Sequence, residues 1–167
     1  MWSVMLIQWL HVLMGITWFG TVIFYNFVAL PAVMSFPLKD QGVFIHSLAK
    51  YTPRLVVPAS ILVILLGILR GTVFGPIKSV SVLFGTAYGI TWMIALAFAL
   101  INFVEGIGIG KLAESLNTIE VDAHTLKEGK VPTALATKMQ QIKRRTFISL
   151  LVFIPIFTCM ILMRFGL

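Results

Sequence analysis

The sequence predicts an all-α integral membrane four-helix bundle with a cytoplasmic helical extension between its third and fourth helices. Two observations carry this. Hydrophobic residues make up 59% of the 167 and charged residues only 11%, against roughly 25% charged in soluble domains. Residues 1–38, 55–69, 79–104 and 146–163 contain no Lys, Arg, Asp or Glu. Three of these runs approach or exceed the ~20 residues that an apolar helix needs to cross a bilayer. The length suits one domain, read as a single transmembrane unit over 1–167.

The first span covers about 3–35. It has no basic start and its apolar run is too long for a cleaved leader, so it is read as a span. Pro31 and Pro37 end or bend it. Residues 38–50 (LKDQGVFIHSLAK) have the pattern of an interfacial helix, with Val43, Phe44 and Leu48 on lipid and Lys39, Asp40 and Lys50 in water. The second span, about 53–74, extends past its charge-free run because Arg54 and Arg70 can snorkel to the two interfaces. Gly71, Gly75 and Pro76 then close a tight hairpin.

The third span is expected over about 80–105. Gly85 and Gly89 form a GxxxG pair on it, and Ala95 and Ala99 repeat the spacing. That small-residue face serves packing within the bundle or a homodimer, with the bundle favoured. A helical hairpin is expected over about 106–143. Leu112, Leu116, Ile119, Ala123 and Leu126 recur at helical spacing, Gly129 stops the helix and Pro132 suits the first turn of the next. The pattern from Ala134 runs unbroken into a fourth span over about 144–166.

Four spans put ten of the thirteen Lys and Arg on the face of the 36–53 and 106–145 connections. Only Arg70, Lys78 and Arg164 fall on the other. This asymmetry predicts a multi-pass cell-membrane protein with the long loop cytoplasmic and both termini outside. The net charge of +7 therefore reads as topology rather than nucleic-acid binding. Lys143, Arg144 and Arg145 are expected to anchor to anionic lipid at a helix start. The single cysteine excludes an intramolecular disulfide. No CxxCH occurs, which excludes covalent c-type haem. The glycines of 105–110 (EGIGIG) follow no strand and depart from the dinucleotide pattern.

His11 is the only side chain among the first 38 residues that can take up or release a proton near neutral pH. An ionisable group at membrane depth is costly and points to function. Helical spacing sets Gln8, His11, Gly15, Trp18, Val22 and Tyr25 in one stripe, which should face the bundle because lipid cannot satisfy its polar groups. Gly15, one turn from His11, leaves room for a planar ligand against the backbone. Counting depth at ~1.5 Å per residue brings Thr91, Trp92, Met93, Thr158, Cys159 and Met160 level with His11. His46 and His124 fall at the other side, so a bis-His site within one subunit is not expected.

Three readings follow. A b-type haem would take His11 as axial ligand, with Met93 or Met160 opposite, Gly15, Trp18 and Tyr25 lining the pocket and Arg70 pairing a propionate. Copper(I) would use the soft set Met93, Cys159 and Met160 with His11. In the third, His11 is neutral and hydrogen-bonds helices together in a non-catalytic assembly subunit. The first implies membrane redox chemistry or electron transfer, with a membrane redox partner or quinone, and the second a copper-binding or copper-transport membrane protein.

The residues Trp9–Leu10–His11, Trp18–Phe19–Gly20, Phe24–Tyr25 and Leu30–Pro31 resemble the first helix of the CopD/HemJ-like membrane superfamily. Its members include copper-resistance D proteins, haem-binding protoporphyrinogen oxidases and the membrane domain of urate oxidases. Tyr51–Thr52–Pro53–Arg54 with Pro58, Ala59 and Gly67 resembles its second helix, and Arg144–Arg145 leading to Pro155 its last. The resemblance implies a four-helix membrane unit in which His11 matches a haem-ligating histidine. The oxidases carry a third-helix lysine, and residues 79–104 contain none. The resemblance therefore does not extend to protoporphyrinogen oxidase activity.

Overall fold

A computed structural model describes residues 2–118 and 133–166. They form α1 (Trp2–Phe24), a π-helical turn (Tyr25–Ala29), α2 (Leu30–Met34), α3 (Leu38–Tyr51), α4 (Pro53–Gly71), α5 (Val80–Gly85), α6 (Ala87–Glu114), a 3₁₀ turn (Ser115–Thr118) and α7 (Thr133–Phe165). No strand occurs among the described residues. Four helical stretches are long and apolar enough to cross a membrane: Trp2–Met34, Pro53–Gly71, Ala87–Glu114 and Leu135–Phe165. This is the pattern of a multi-pass membrane protein. Exposed Leu, Ile, Val and Phe cover the outside of these helices, as expected where the solvent is hydrocarbon.

The first span changes its hydrogen-bond ladder ahead of Pro31. Proline has no N–H to return to the carbonyl of Phe27, and the ladder widens just ahead of it. The Leu30 N–H instead reaches back five residues to the Tyr25 carbonyl. Asn26 Nδ2 donates to the Val22 carbonyl at 2.9 Å and to the Thr146 carbonyl of α7 at 3.1 Å. The amphipathic helix expected at 38–50 forms as α3, from Leu38 to Tyr51, with Val43 and Phe44 exposed but Leu48 packed against the buried cluster rather than facing lipid.

The third span differs from its expectation. Its helix starts at Ala87 rather than near 80, because Thr86 is extended and its side chain caps Gly89 N–H at 3.1 Å. Residues Val80–Gly85 form a separate short helix capped by Ser79. The Gly85–Gly89 pair therefore straddles a helix break. A Cβ at Gly89 would lie 2.3 Å from the Leu83 carbonyl oxygen, and one at Gly85 would meet nothing. Gly89 closes the corner between α5 and α6, which corrects its reading as a helix-packing face.

The second span ends at Gly71, short of 74, in a turn that satisfies itself. Lys78 Nζ donates to the Thr72 and Val73 carbonyls, both at 2.8 Å, and Ile77 N–H to Gly71 at 3.1 Å. The pattern from Ala134 does continue as one helix, Thr133–Phe165. The stop at Gly129, the start at Pro132 and His124 lie outside the described residues.

The core has two parts. Trp18, Val63, Phe153 and Ile156 form one, inside the bundle. Leu30, Val33, Ile45, Ala49, Ala113, Leu116, Leu135 and Ile142 form the other, where α2 and α3 meet the ends of α6 and α7. Within the bundle α1 packs along α4 and α6 along α7, with sparser contact between the two pairs. The seam between the pairs holds the candidate site.

Candidate functional site

His11 faces inward and is 7% exposed, and Trp18 two turns on is 5% exposed. The α1 stripe therefore turns toward the bundle, with Gln8, Gly15, Val22 and Tyr25 half-buried along it. Opposite His11, α4 presents glycine. A Cβ at Gly67 would lie 3.1 Å from His11 Cε1 and 3.7 Å from Nδ1. The missing side chain lets the imidazole edge rest on helix backbone. The Val63 backbone and the Arg70 guanidinium both act electrostatically on the ring. Nδ1 itself is buried without a partner in hydrogen-bonding geometry, as is Gln8 Oε1 one turn away.

Trp92 of α6 closes this arrangement. Its indole Nε1 donates to the Gly67 carbonyl at 3.3 Å. Gly71 makes room for it, since a Cβ there would fall 2.2 Å from that nitrogen.

These groups surround a cavity of about 90 Å³ lined by His11, Gly15, Trp18, Gly67, Arg70, Gly71, Tyr88, Trp92, Ala95, Ala99, Phe153, Phe157, Met160 and Met163, among others. The sequence-derived residues His11, Gly15, Trp18, Arg70 and Met160 thus converge on one void. Tyr25 does not join them. It lines a second cavity of about 370 Å³ toward α3, where its hydroxyl pairs with Thr52. The π-helical turn begins at Tyr25. Met93 is half-buried and Cys159 buried, and neither lines either cavity. Among the described residues no three His, Cys, Asp or Glu gather closely enough to hold a metal ion.

Reasoning from sequence brought Trp92 to the level of His11 but missed the α4 glycines, Tyr88 and Met163 as walls of the void. Gly67 and Gly71 carried a readable signal, being one helical turn apart and facing the depth of His11. It also missed the polar contacts between helices. Ser149 Oγ donates to Asn102 Oδ1 at 2.6 Å, both buried. Arg145, expected as a lipid anchor, instead pairs with Glu105 through Nε at 2.5 Å and Nη2 at 2.8 Å.

No family model, curated protein or solved structure matches this chain.

Proposed function

We propose that the chain is a haem b-binding membrane protein acting in membrane redox chemistry or electron transfer, with His11 as the axial ligand. One observation carries this reading: the only side chain in the first 38 residues that titrates near neutral pH lies buried in a void with aromatic walls, its ring edge laid on glycine backbone. With Nδ1 turned toward the α4 backbone, a small ring adjustment would let it donate to Val63, leaving the other nitrogen as the ligand. Arg70 would take a propionate, and Gly15 and Trp18 would flank the macrocycle. Bound haem would supply one-electron chemistry.

The fit has a condition. A void of about 90 Å³ holds an ion or a few waters, whereas ligand pockets run from roughly 300 Å³ upward. A macrocycle enters only if the two helix pairs part along their seam. Small residues line that seam at Gly15, Gly67, Ala95 and Ala99, so parting the pairs would leave a slot with few side chains to displace.

The small volume also favours a second reading, copper(I). His11 shares the void with Met160 and Met163, and imidazole with thioethers suits a soft cuprous ion. Met93 and Cys159 are no part of that set.

An optical spectrum of the purified protein with elemental analysis separates the readings. A Soret band that disappears in His11→Ala is the expected result. A colourless protein carrying stoichiometric copper overturns haem in favour of copper. Loss of both cofactors leaves His11 as a packing group. The bilayer is the environment under every reading, with both termini outside and the long loop cytoplasmic by charge asymmetry.

A further inference from the structure

The larger cavity lies at the α3 end of the bundle and is separate from the His11 void except for one shared wall, Trp18. Its volume of about 370 Å³ falls within the range of pockets that bind small molecules. Most of its surface is aliphatic and aromatic, from residues such as Val22, Leu48, Val56 and Phe103. A few hydroxyls interrupt it, and their protons can be accounted for.

Thr21 donates to the Thr17 carbonyl at 2.7 Å, Ser60 to Val57 at 2.9 Å, Thr146 to Ile142 at 2.7 Å and Ser149 to Asn102 Oδ1 at 2.6 Å. A hydroxyl has one proton, so these four have none left to give. Tyr25 and Thr52 differ, because they are bonded to each other. Two hydroxyls share one bond, so one proton of the pair stays free. Tyr25 also opens the π-helical turn, a distortion found often at functional sites. Lys111 and Glu114 are exposed on the same wall and mark the cavity's polar side.

We infer that this cavity binds a lipid-soluble molecule with an apolar body and a carbonyl oxygen, the carbonyl accepting the free proton of the Tyr25–Thr52 pair. Two sources offer that chemistry in a bilayer: a quinone ring and the ester group of a phospholipid. The site does not depend on what His11 holds. An occupant would lie across the Trp18 indole from the His11 void.

The test uses the full chain with Trp2, Trp9 and Trp92 changed to Phe, so that Trp18 is the only indole. A benzoquinone with a ten-carbon tail is titrated into lipid-free detergent. Saturable quenching is expected, about fivefold weaker in affinity for Tyr25→Phe/Thr52→Val, which removes one hydrogen bond. Gly110→Leu should abolish it. Gly110 lines the cavity and a Cβ there meets nothing within 4 Å, so the plug need not disturb the fold. A far-ultraviolet circular dichroism spectrum checks that. If the quinone does not saturate, mass spectrometry of the protein from lipid nanodiscs reads the second source. Retained phospholipid, lost in both variants, identifies the ester and supports the site. Quenching and lipid retention unchanged in both variants, or binding of neither probe, overturns it.

Discussion

Glu105 and Arg145, 40 residues apart in sequence, meet as a two-pronged ion pair between α6 and α7. Each is about one-third exposed at 33%. The pair lies over Gly108, where a Cβ would come within 2.6 Å of Arg145 Nη2. One contact thus accounts for a glutamate, an arginine and a glycine just beyond the charge-free runs of α6 and α7.

Glu105→Gln and Arg145→Gln should each lower the thermal midpoint in detergent, through a stability loss of about 1 kcal/mol, as the pair is partly exposed. The double variant should recover part of that loss, because neither charge is left unpaired. Melting curves of the three variants check this. Additive losses in the double variant would show that the two charges are not coupled.

Gly67→Ala and Gly71→Ala should behave differently. The first places a methyl 3.1 Å from His11 Cε1, so the ring must move by a few tenths of an ångström. If the haem proposal holds, the absorption spectrum of the bound haem should change while the fold persists. The second drives into the Trp92 indole at 2.2 Å and breaks its bond to Gly67. Gly71→Ala should shift Trp92 emission and cost about 1–3 kcal/mol, the usual range for overpacking. Absorption spectra read the first effect, and emission spectra with Trp92 as the only indole, together with melting curves, read the second.

Asn102 sets up an inversion. It is 1% exposed, and its Nδ2 has no partner even though Oδ1 accepts from Ser149. Asn102→Leu removes that orphan together with the bond, and Ser149 can turn its proton to its own helix. The change should be close to neutral, since hydrogen bonds between membrane helices average about 0.6 kcal/mol. Ser149→Ala leaves the whole amide unpaired and should cost about 1–3 kcal/mol. Denaturant titrations of the two variants give the order, and the reverse order would refute the assignment.

Asn26 ties the π-helical turn to α7 through the Thr146 carbonyl, 120 residues away. Asn26→Ala should loosen that contact by about 1 kcal/mol and raise hydrogen exchange at the turn's amides. Exchange mass spectrometry across residues 22–30 measures it.

What the sequence revealed was whatever follows from periodicity and hydropathy. Four apolar helices of spanning length, the amphipathic helix at 38–50 and the inward stripe through His11 and Trp18 are all consequences of local pattern. Depth counting brought Trp92 and Met160 to the level of His11, and both line its cavity. It failed for Met93 and Cys159 because depth says nothing about which way a helix is rotated. Gly85 and Gly89 misled for a related reason. Their spacing suits a packing face only if the helix is continuous, and the Thr86 cap interrupts it. Pairs such as Glu105–Arg145 and Asn102–Ser149 were illegible because no local rule relates residues 40 or 47 apart.

The Thr72–Ser79 turn divides the chain in the order in which a ribosome would make it. His11, Gly15, Gly67 and Arg70 all precede it, so the imidazole and the glycine backbone beneath it belong to the first hairpin. Trp92, Phe153, Phe157 and Met160 belong to the second. During synthesis His11 would meet its α4 partner while its opposite wall is still unmade. The void is completed by closure of one half over the other, and that is the moment at which anything enclosed beside His11 has the widest way in.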